Sequence, residues 1–176
     1  SAPSPIDGNA LLWDATNSEW TSGTPIVAAN AAQGMYKPFR GALLTLISDY
    51  NYTGTLMVIP FENPEYDTSS FFNAGELGSF TIPTGVKKVR LHANIKHNNN
   101  FGSTGSDLII RFAKNGSLNW YGTSVNTFKT GYEDAGITIV SPVVPVNPGD
   151  YFDVYIRNDF GSQVSIDSAT SSFSIE

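Results

Sequence analysis

Residues 61–95 read FENPEYDTSSFFNAGELGSFTIPTGVKKVRLHANI, and this stretch decides the fold. It opens on a turn-rich Asn63-Pro64-Glu65-Tyr66-Asp67-Thr68 and passes through a short strand ending at Pro83. It turns at Thr84-Gly85 and closes on the clearest alternating segment of the chain. There Val89, Leu91, Ala93 and Ile95 fall on one face, and Lys88, Arg90, His92, Asn94 and Lys96 on the other, because strand side chains alternate. The first face is core and the second is a basic stripe. His92 and His97 are five positions apart, so a regular strand points them to opposite sides and a shared metal is not expected; both read as solvated.

Working outward, apolar runs bounded by Gly, Pro, Asn and Asp predict strands over 42–48, 55–61, 79–82, 86–97, 108–113, 117–121, 137–146, 151–157 and 164–175, the last broken near Ser168. No segment sustains a helical period, and only 28–33 is helix-permissive. Many short strands joined by turns mean an all-β sandwich or barrel. Residues 1–39 differ. Pro3, Pro5, Pro25 and Pro38 and several Gly/Asn turns interrupt them, leaving only 11–13 and 26–27 as short strands. They read as an extended N-terminal arm with Trp13 and Trp20 as anchors, laid on its own domain or on a partner, ahead of a domain at 40–176.

Composition narrows the class of function. A chain of 176 residues with 12% aromatic and 15% charged residues can bury a substantial core. A net charge of −6 argues against a nucleic-acid partner, which needs a Lys/Arg surface. Without cysteine there is no disulfide framework and no thiolate metal site, which suits assembly in a bacterial cytoplasm. No apolar run approaches the roughly 20 residues of a membrane span, so membrane insertion is not expected. The start, SAPSPI, reads as a processed or excised end.

Connection lengths divide the molecule. Lys114-Asn115-Gly116 predicts a tight type I′ hairpin, and Asn147-Pro148-Gly149-Asp150 a compact turn. The connections 97–107, 122–136 and 158–163 are longer and richer in polar and aromatic residues. If successive strands run antiparallel, these three share one end of the sandwich, and the tight turns and the C-terminus share the other.

Residues 61–95 and the C-terminal segment together resemble the C1q/TNF-like jelly roll. The resemblance lies in the order of landmarks: Asn63, Tyr66-Asp67, Phe80-Thr81-Ile82-Pro83, Gly85 and Val86-Lys87-Lys88-Val89. Val144-Pro145-Val146, Gly149-Asp150-Tyr151-Phe152-Asp153-Val154 and Ser172-Phe173-Ser174-Ile175 follow. Arg40-Gly41-Ala42-Leu43-Leu44 resembles the family's first strand. The likeness covers residues 40–176 and departs where Lys88 and Val89 replace an aromatic residue. Asp7-Gly8-Asn9-Ala10-Leu11-Leu12-Trp13-Asp14 with Trp20 looks like the fibre and spike sequences that precede such heads in phages and gene transfer agents. The resemblance implies a C1q/TNF-like jelly-roll β-sandwich and a homotrimer on the surface of a virion or phage-like particle. It also implies attachment to another spike, capsid or tail subunit through the arm, and a host capsular or cell-surface polysaccharide as receptor.

No catalytic motif is present: no Gly-x-Ser-x-Gly elbow, no His-Glu-x-x-His, no P-loop and no dinucleotide fingerprint. Pairs of acids such as Glu133-Asp134 or Asp150 with Asp153 arise easily among sixteen and define no site. The expectation is a receptor-binding head, not an enzyme. A polysaccharide depolymerase, or a structural or signalling trimer without a glycan, is the alternative. Candidate contact residues are Asn99, Phe101, Tyr121, Phe128, Tyr132, Glu133, Asp159 and Phe160. They offer aromatic platforms for the C–H faces of sugars beside amides and carboxylates for their hydroxyls, on loops that a rigid scaffold holds. The bland reading is that the aromatics fill the end of the barrel. The face of Lys88, Arg90, His92 and Lys96 is the second candidate, against the plainer reading of a solvated or acid-paired face. No cofactor is expected. Asp107, Asp134 and Asp159 could offer oxygens to Ca²⁺, without an EF-hand spacing to support it.

Overall fold

The computed structural model describes residues 10–14, 19–23, 39–53, 56–76, 78–98, 107–117, 121–127, 134–158 and 163–176. The described residues contain strands and turns and no helix, so none is long and apolar enough to cross a membrane. The chain forms two compact units, Ser1–Phe39 and Arg40–Glu176. In the first, β1 (Ala10–Asp14) and β2 (Glu19–Gly23) form an antiparallel hairpin in which Trp13 stands opposite Trp20. The expected strand at 11–13 is present, and its partner at 19–23 was not foreseen. The expected pieces at 26–27 and 28–33 lie outside the described residues.

The second unit is a sandwich of two antiparallel sheets. The first sheet is built on β9 (Leu91–Asn98). Along one side β9 pairs with β12 (Asp134–Val140). Along the other it pairs with β16 (Ser172–Ile175) and β15 (Val164–Ile166). Beyond these lie β3 (Ala42–Thr45), β4 (Tyr50–Tyr52) and β6 (Asn63–Asp67). The second sheet is built on β14 (Tyr151–Asn158), with β10 (Asp107–Lys114) and β11 (Thr123–Thr127) on one side. β5 (Met57–Val58) and β7 (Ser79–Thr81) lie on the other side. A short ladder joins β8 (Lys88–Val89) to β13 (Val144–Pro145).

Alternation places the core. Val89, Leu91, Ala93 and Ile95 are all buried, as their spacing predicts. Opposite them, Phe80, Phe112, Phe152, Val154 and Ile156 of the second sheet are fully buried. Phe173 of β16 joins the two layers: its ring centroid lies 4.5 Å from that of Phe80, 5.8 Å from Phe112 and 5.9 Å from Phe61. Tilted and offset ring pairs at these distances add to the gain from burial alone.

Several boundaries differ from the sequence-based reading, each for a physical reason. Residues 63–67 form β6 and not a turn, because β3 lacks a partner on that side and the segment supplies one through a bulge at Leu43/Leu44. The turn follows instead, where the Asp67 carboxylate accepts the N–H groups of Ser69, Phe71 and Phe72 at 2.8–3.1 Å. The long strand at 86–97 is divided at Arg90, whose backbone exchanges hydrogen bonds with Glu176 at 2.8 and 3.0 Å. The strand at 137–146 is likewise divided, into β12 and β13. Residues 118–120 of the expected strand 117–121 lie outside the described residues, and β11 occupies 123–127, inside the expected loop 122–136. His97 is buried, on the core side of β9, and is not a solvated histidine.

The tight turns are as their residues dictate. Asn115 and Gly116 take φ of 54° and 65°, and Ser117 N–H donates to Lys114 O at 2.9 Å, a type I′ closure. Asn147–Asp150 closes with Asp150 N–H on Asn147 O at 3.1 Å and Gly149 at φ 86°, as a Pro-Gly type II turn requires.

Candidate functional site

Strand register brings the ends of three connections together. Asn98, the last residue of β9, stands opposite Asp134, the first of β12, and opposite Ser165 of β15. In the second sheet Asp107, the first residue of β10, stands opposite Thr127, the last of β11, and Leu108 stands opposite Asn158, the last of β14. Connections 99–106, 128–133 and 159–162 therefore leave and re-enter one end of the sandwich. Beneath them lie two buried polar residues, His97 and Asn158, 1% and 2% exposed. A polar floor at the end of an otherwise apolar core holds hydrogen-bonding groups where the loops begin.

The opposite end is closed and cross-linked. Asp150 forms an ion pair with Lys114 at 2.7 Å and accepts from Asn115 Nδ2 and from Asn147 N–H, each at 2.8 Å. Asn115 Oδ1 accepts Tyr151 N–H at 2.8 Å. Burial raises the Asp150 pKa, but the bonds from Asn115, Lys114 and Asn147 outweigh it and hold the carboxyl at about 2. The two tight turns are thus tied to each other. The unit's first strand and its last residues end here too, since Ala42 stands opposite Ile175 and Ile175 opposite Leu91.

Of the residues expected to touch a ligand, Asn99, Phe101, Phe128, Tyr132, Glu133, Asp159 and Phe160 lie outside the described residues, although each belongs to a connection anchored at the loop-bearing end. Tyr121 does not join them. It precedes β11, its N–H donates to Phe112 O at 3.1 Å, and its ring lies edge-on to Phe152 at 6.2 Å, half-buried against the core. The place of β11 is the cause: with the strand at 123–127, Tyr121 stands two residues before its start, beside β10. Asp107 and Asp134 open their strands at the loop-bearing end. Among the described residues no three His, Asp or Glu side chains gather as a metal site.

The basic stripe is on the page in full. Lys88, Arg90 and His92 are exposed and Lys96 is half-buried. Arg90 lies 3.7 Å from the Glu176 carboxylate, and Lys96 lies 3.7 Å from Asp167. Asn94, between them, accepts from Thr138 Oγ1 at 3.1 Å and donates to Thr170 O at 3.2 Å. Two of the stripe's cations thus face acids of the same sheet, which weakens the stripe as a free anionic-ligand surface. A charged group with a local partner offers less field to a third.

One group escaped the sequence reading. Outward-facing Asp153 is only 4% exposed and touches Ser79 Oγ, and the charge of Glu76 acts on it. The alternation of 151, 153, 155 and 157 along β14 places these side chains on the outer face. It does not reveal what covers them.

No family model matches the chain, and no curated relative matches it. Solved structures do. Murine APRIL at pH 5.0 superposes with a TM-score of 0.56 at 10% identity, over 77% of this chain and 96% of that one. Eiger TNF from S. frugiperda superposes with a TM-score of 0.53 at 11% identity, over 79% and 92%. Murine APRIL at pH 8.5 gives 0.51 at 11%, over 77% and 98%. At these identities the likeness is one of fold, and with the two antiparallel sheets described above it makes this chain a TNF-like jelly roll.

Proposed function

We propose that residues 40–176 are a receptor-binding head of a phage or phage-derived particle. Its loop-bearing end holds a host surface polysaccharide non-covalently, and the head acts as a homotrimer. One observation carries the reading: strand register gathers connections 99–106, 128–133 and 159–162 at one end, while the other end holds the tight turns and the unit's own first and last strands. An elaborated end opposite a closed one is the arrangement of a module that contacts at one pole and is attached at the other. The loop residues Phe101, Phe128, Tyr132 and Phe160 supply apolar platforms, and Asn99, Glu133 and Asp159 supply polar groups for sugar hydroxyls. The chemistry needed is binding alone, without a cofactor. Fold by itself assigns no activity, so the test must be functional.

Labelled protein is expected to bind encapsulated host cells and not capsule-deficient ones. Tyr132→Ala with Phe101→Ala should weaken binding about tenfold or more while the circular-dichroism spectrum is unchanged. Shortening of purified capsule on incubation would replace this reading with a depolymerase. Intact trimers that bind neither cells nor a glycan array would replace it with a structural role.

A further inference from the structure

At the start of β14, on the outer face of the second sheet, lies a cleft of about 360 Å³, within the range of small-ligand sites. Glu76, Ser79, Thr81, Gly149 and Tyr151 line it. It is far from the loop-bearing end, because Tyr151 is the first residue of β14 and Asn158, next to loop 159–162, is the last.

Three features give the cleft a definite chemistry. First, the hydroxyl protons of Ser79 and Thr81 are committed. Thr81 Oγ1 donates to Glu76 Oε2 at 2.7 Å, and Ser79 Oγ donates to Asp153. Ionised carboxylates only accept, so Glu76 and the oxygens of Ser79 and Thr81 face the cleft as acceptors. A ligand must therefore bring donors. Second, Tyr151 is 37% exposed, an aromatic surface able to take an apolar face. Gly149 has no side chain, and a Cβ there would meet nothing within 4 Å, so the cleft is open beside it. Third, among the described residues no Lys or Arg lines the cleft, and the charged residue that does, Glu76, is an acid. An anionic ligand would meet the repulsion of Glu76 without a facing cation among these residues.

We infer that this cleft is a second binding site, taking one neutral, hydroxyl-rich sugar ring that stacks on Tyr151 and donates hydroxyl hydrogens to Glu76, Ser79 and Thr81. A sugar ring presents both an apolar C–H face and several donors, and the cleft offers one aromatic wall and a row of acceptors. The inference goes beyond the pole reading and does not depend on it, since the two sites lie at opposite ends of β14.

The test is a titration of the isotope-labelled full chain with methyl galactoside, methyl glucoside and methyl N-acetylglucosaminide, followed by amide shifts, with glucuronate as the anionic comparison. At least one neutral glycoside should shift the amides of Ser79, Thr81, Gly149 and Tyr151 in the millimolar range, and glucuronate should bind about tenfold more weakly or not at all. Tyr151→Ala and Glu76→Gln should each weaken binding about tenfold, while Tyr151→Phe keeps most of it. The pole pair Phe101→Ala with Tyr132→Ala should leave it unchanged. Absence of shifts at these amides with every neutral glycoside overturns the site. So does glucuronate binding as well as its neutral counterparts, or binding that survives Tyr151→Ala. Loss of cell binding in the pole variants speaks only to the other reading.

Discussion

Asp150 and Asp153 stand three residues apart and act on stability with opposite signs. At Asp150 the bonds from Asn115, Lys114 and Asn147 overcome burial and hold the folded pKa at about 2, below the ordinary 3.8. A depressed carboxyl contributes stability that is full above its unfolded pKa and is lost as pH falls through the folded one, here from about pH 4 to about pH 2. At Asp153 burial raises the pKa; the Ser79 bond opposes this and the nearby Glu76 charge adds to it. A raised carboxyl imposes a penalty that is absent below its unfolded pKa and grows as pH rises through the folded one. Asp150→Asn should therefore lower the free energy of urea unfolding at pH 7 by about 1.5–3 kcal/mol for a lost charge-assisted set, and much less at pH 2. Asp153→Asn should raise the midpoint at pH 7 and leave it unchanged at pH 3. Equal effects of either variant at both pH values would refute the assignment. From the sequence, both acids read as members of a chance pair. The turn chemistry of Asn147-Pro148-Gly149 made the place of Asp150 legible. The burial of Asp153 was not, because it depends on Ser79 and Glu76 folding over it from more than seventy residues away in the chain.

Among the elements, β16 shows how four residues can hold two layers together. Its alternation places Phe173 and Ile175 inward and Ser172 and Ser174 outward. Phe173 then meets Phe61, Phe80 and Phe112, which belong to other segments of both layers. Phe173→Ala should cost about 3–5 kcal/mol in urea unfolding, and Phe173→Leu less, because less cavity remains. An alanine variant losing under about 1 kcal/mol would show that the cluster collapses to fill the gap. The period-2 pattern made this element readable, as it did β9 and β14. It failed at β6 and β11. Asn63-Pro64-Glu65-Tyr66-Asp67 has turn composition and becomes a strand because β3 requires an edge partner. Thr123–Thr127 carries little apolar signal, and its pairing with β10 decides it. Tertiary pairing overrides local propensity at such edges, which is where β propensity is most dependent on context. The same error placed Tyr121 among the loop residues, when its ring packs beside Phe152.

For the whole molecule, the gathering of three long connections at one end followed from antiparallel alternation alone. Which strands share a sheet did not, since a jelly roll pairs segments distant in sequence. The proposed homotrimer depends on that second kind of information. The outer face of the first sheet carries small polar residues, Thr45, Thr138, Ser172 and Ser174, with Val140 half exposed beside them and opposite His92. Val143, just beyond β12, is equally exposed. Thr45, Thr138, Ser172 and Ser174 leave part of this face low beside the stripe of Arg90, His92 and Lys96, and exposed valines at its edge gain by being covered. Assembly through this face predicts that the wild-type chain sediments as a trimer at micromolar concentration. Val140→Asp with Val143→Asp should shift it to monomer, since two carboxylates cannot be buried there unpaired. The variant's β-sheet spectrum should stay the same, because neither side chain belongs to the core. A wild-type monomer would remove the trimer from the proposed function. A variant that remains trimeric would move the contact to another face.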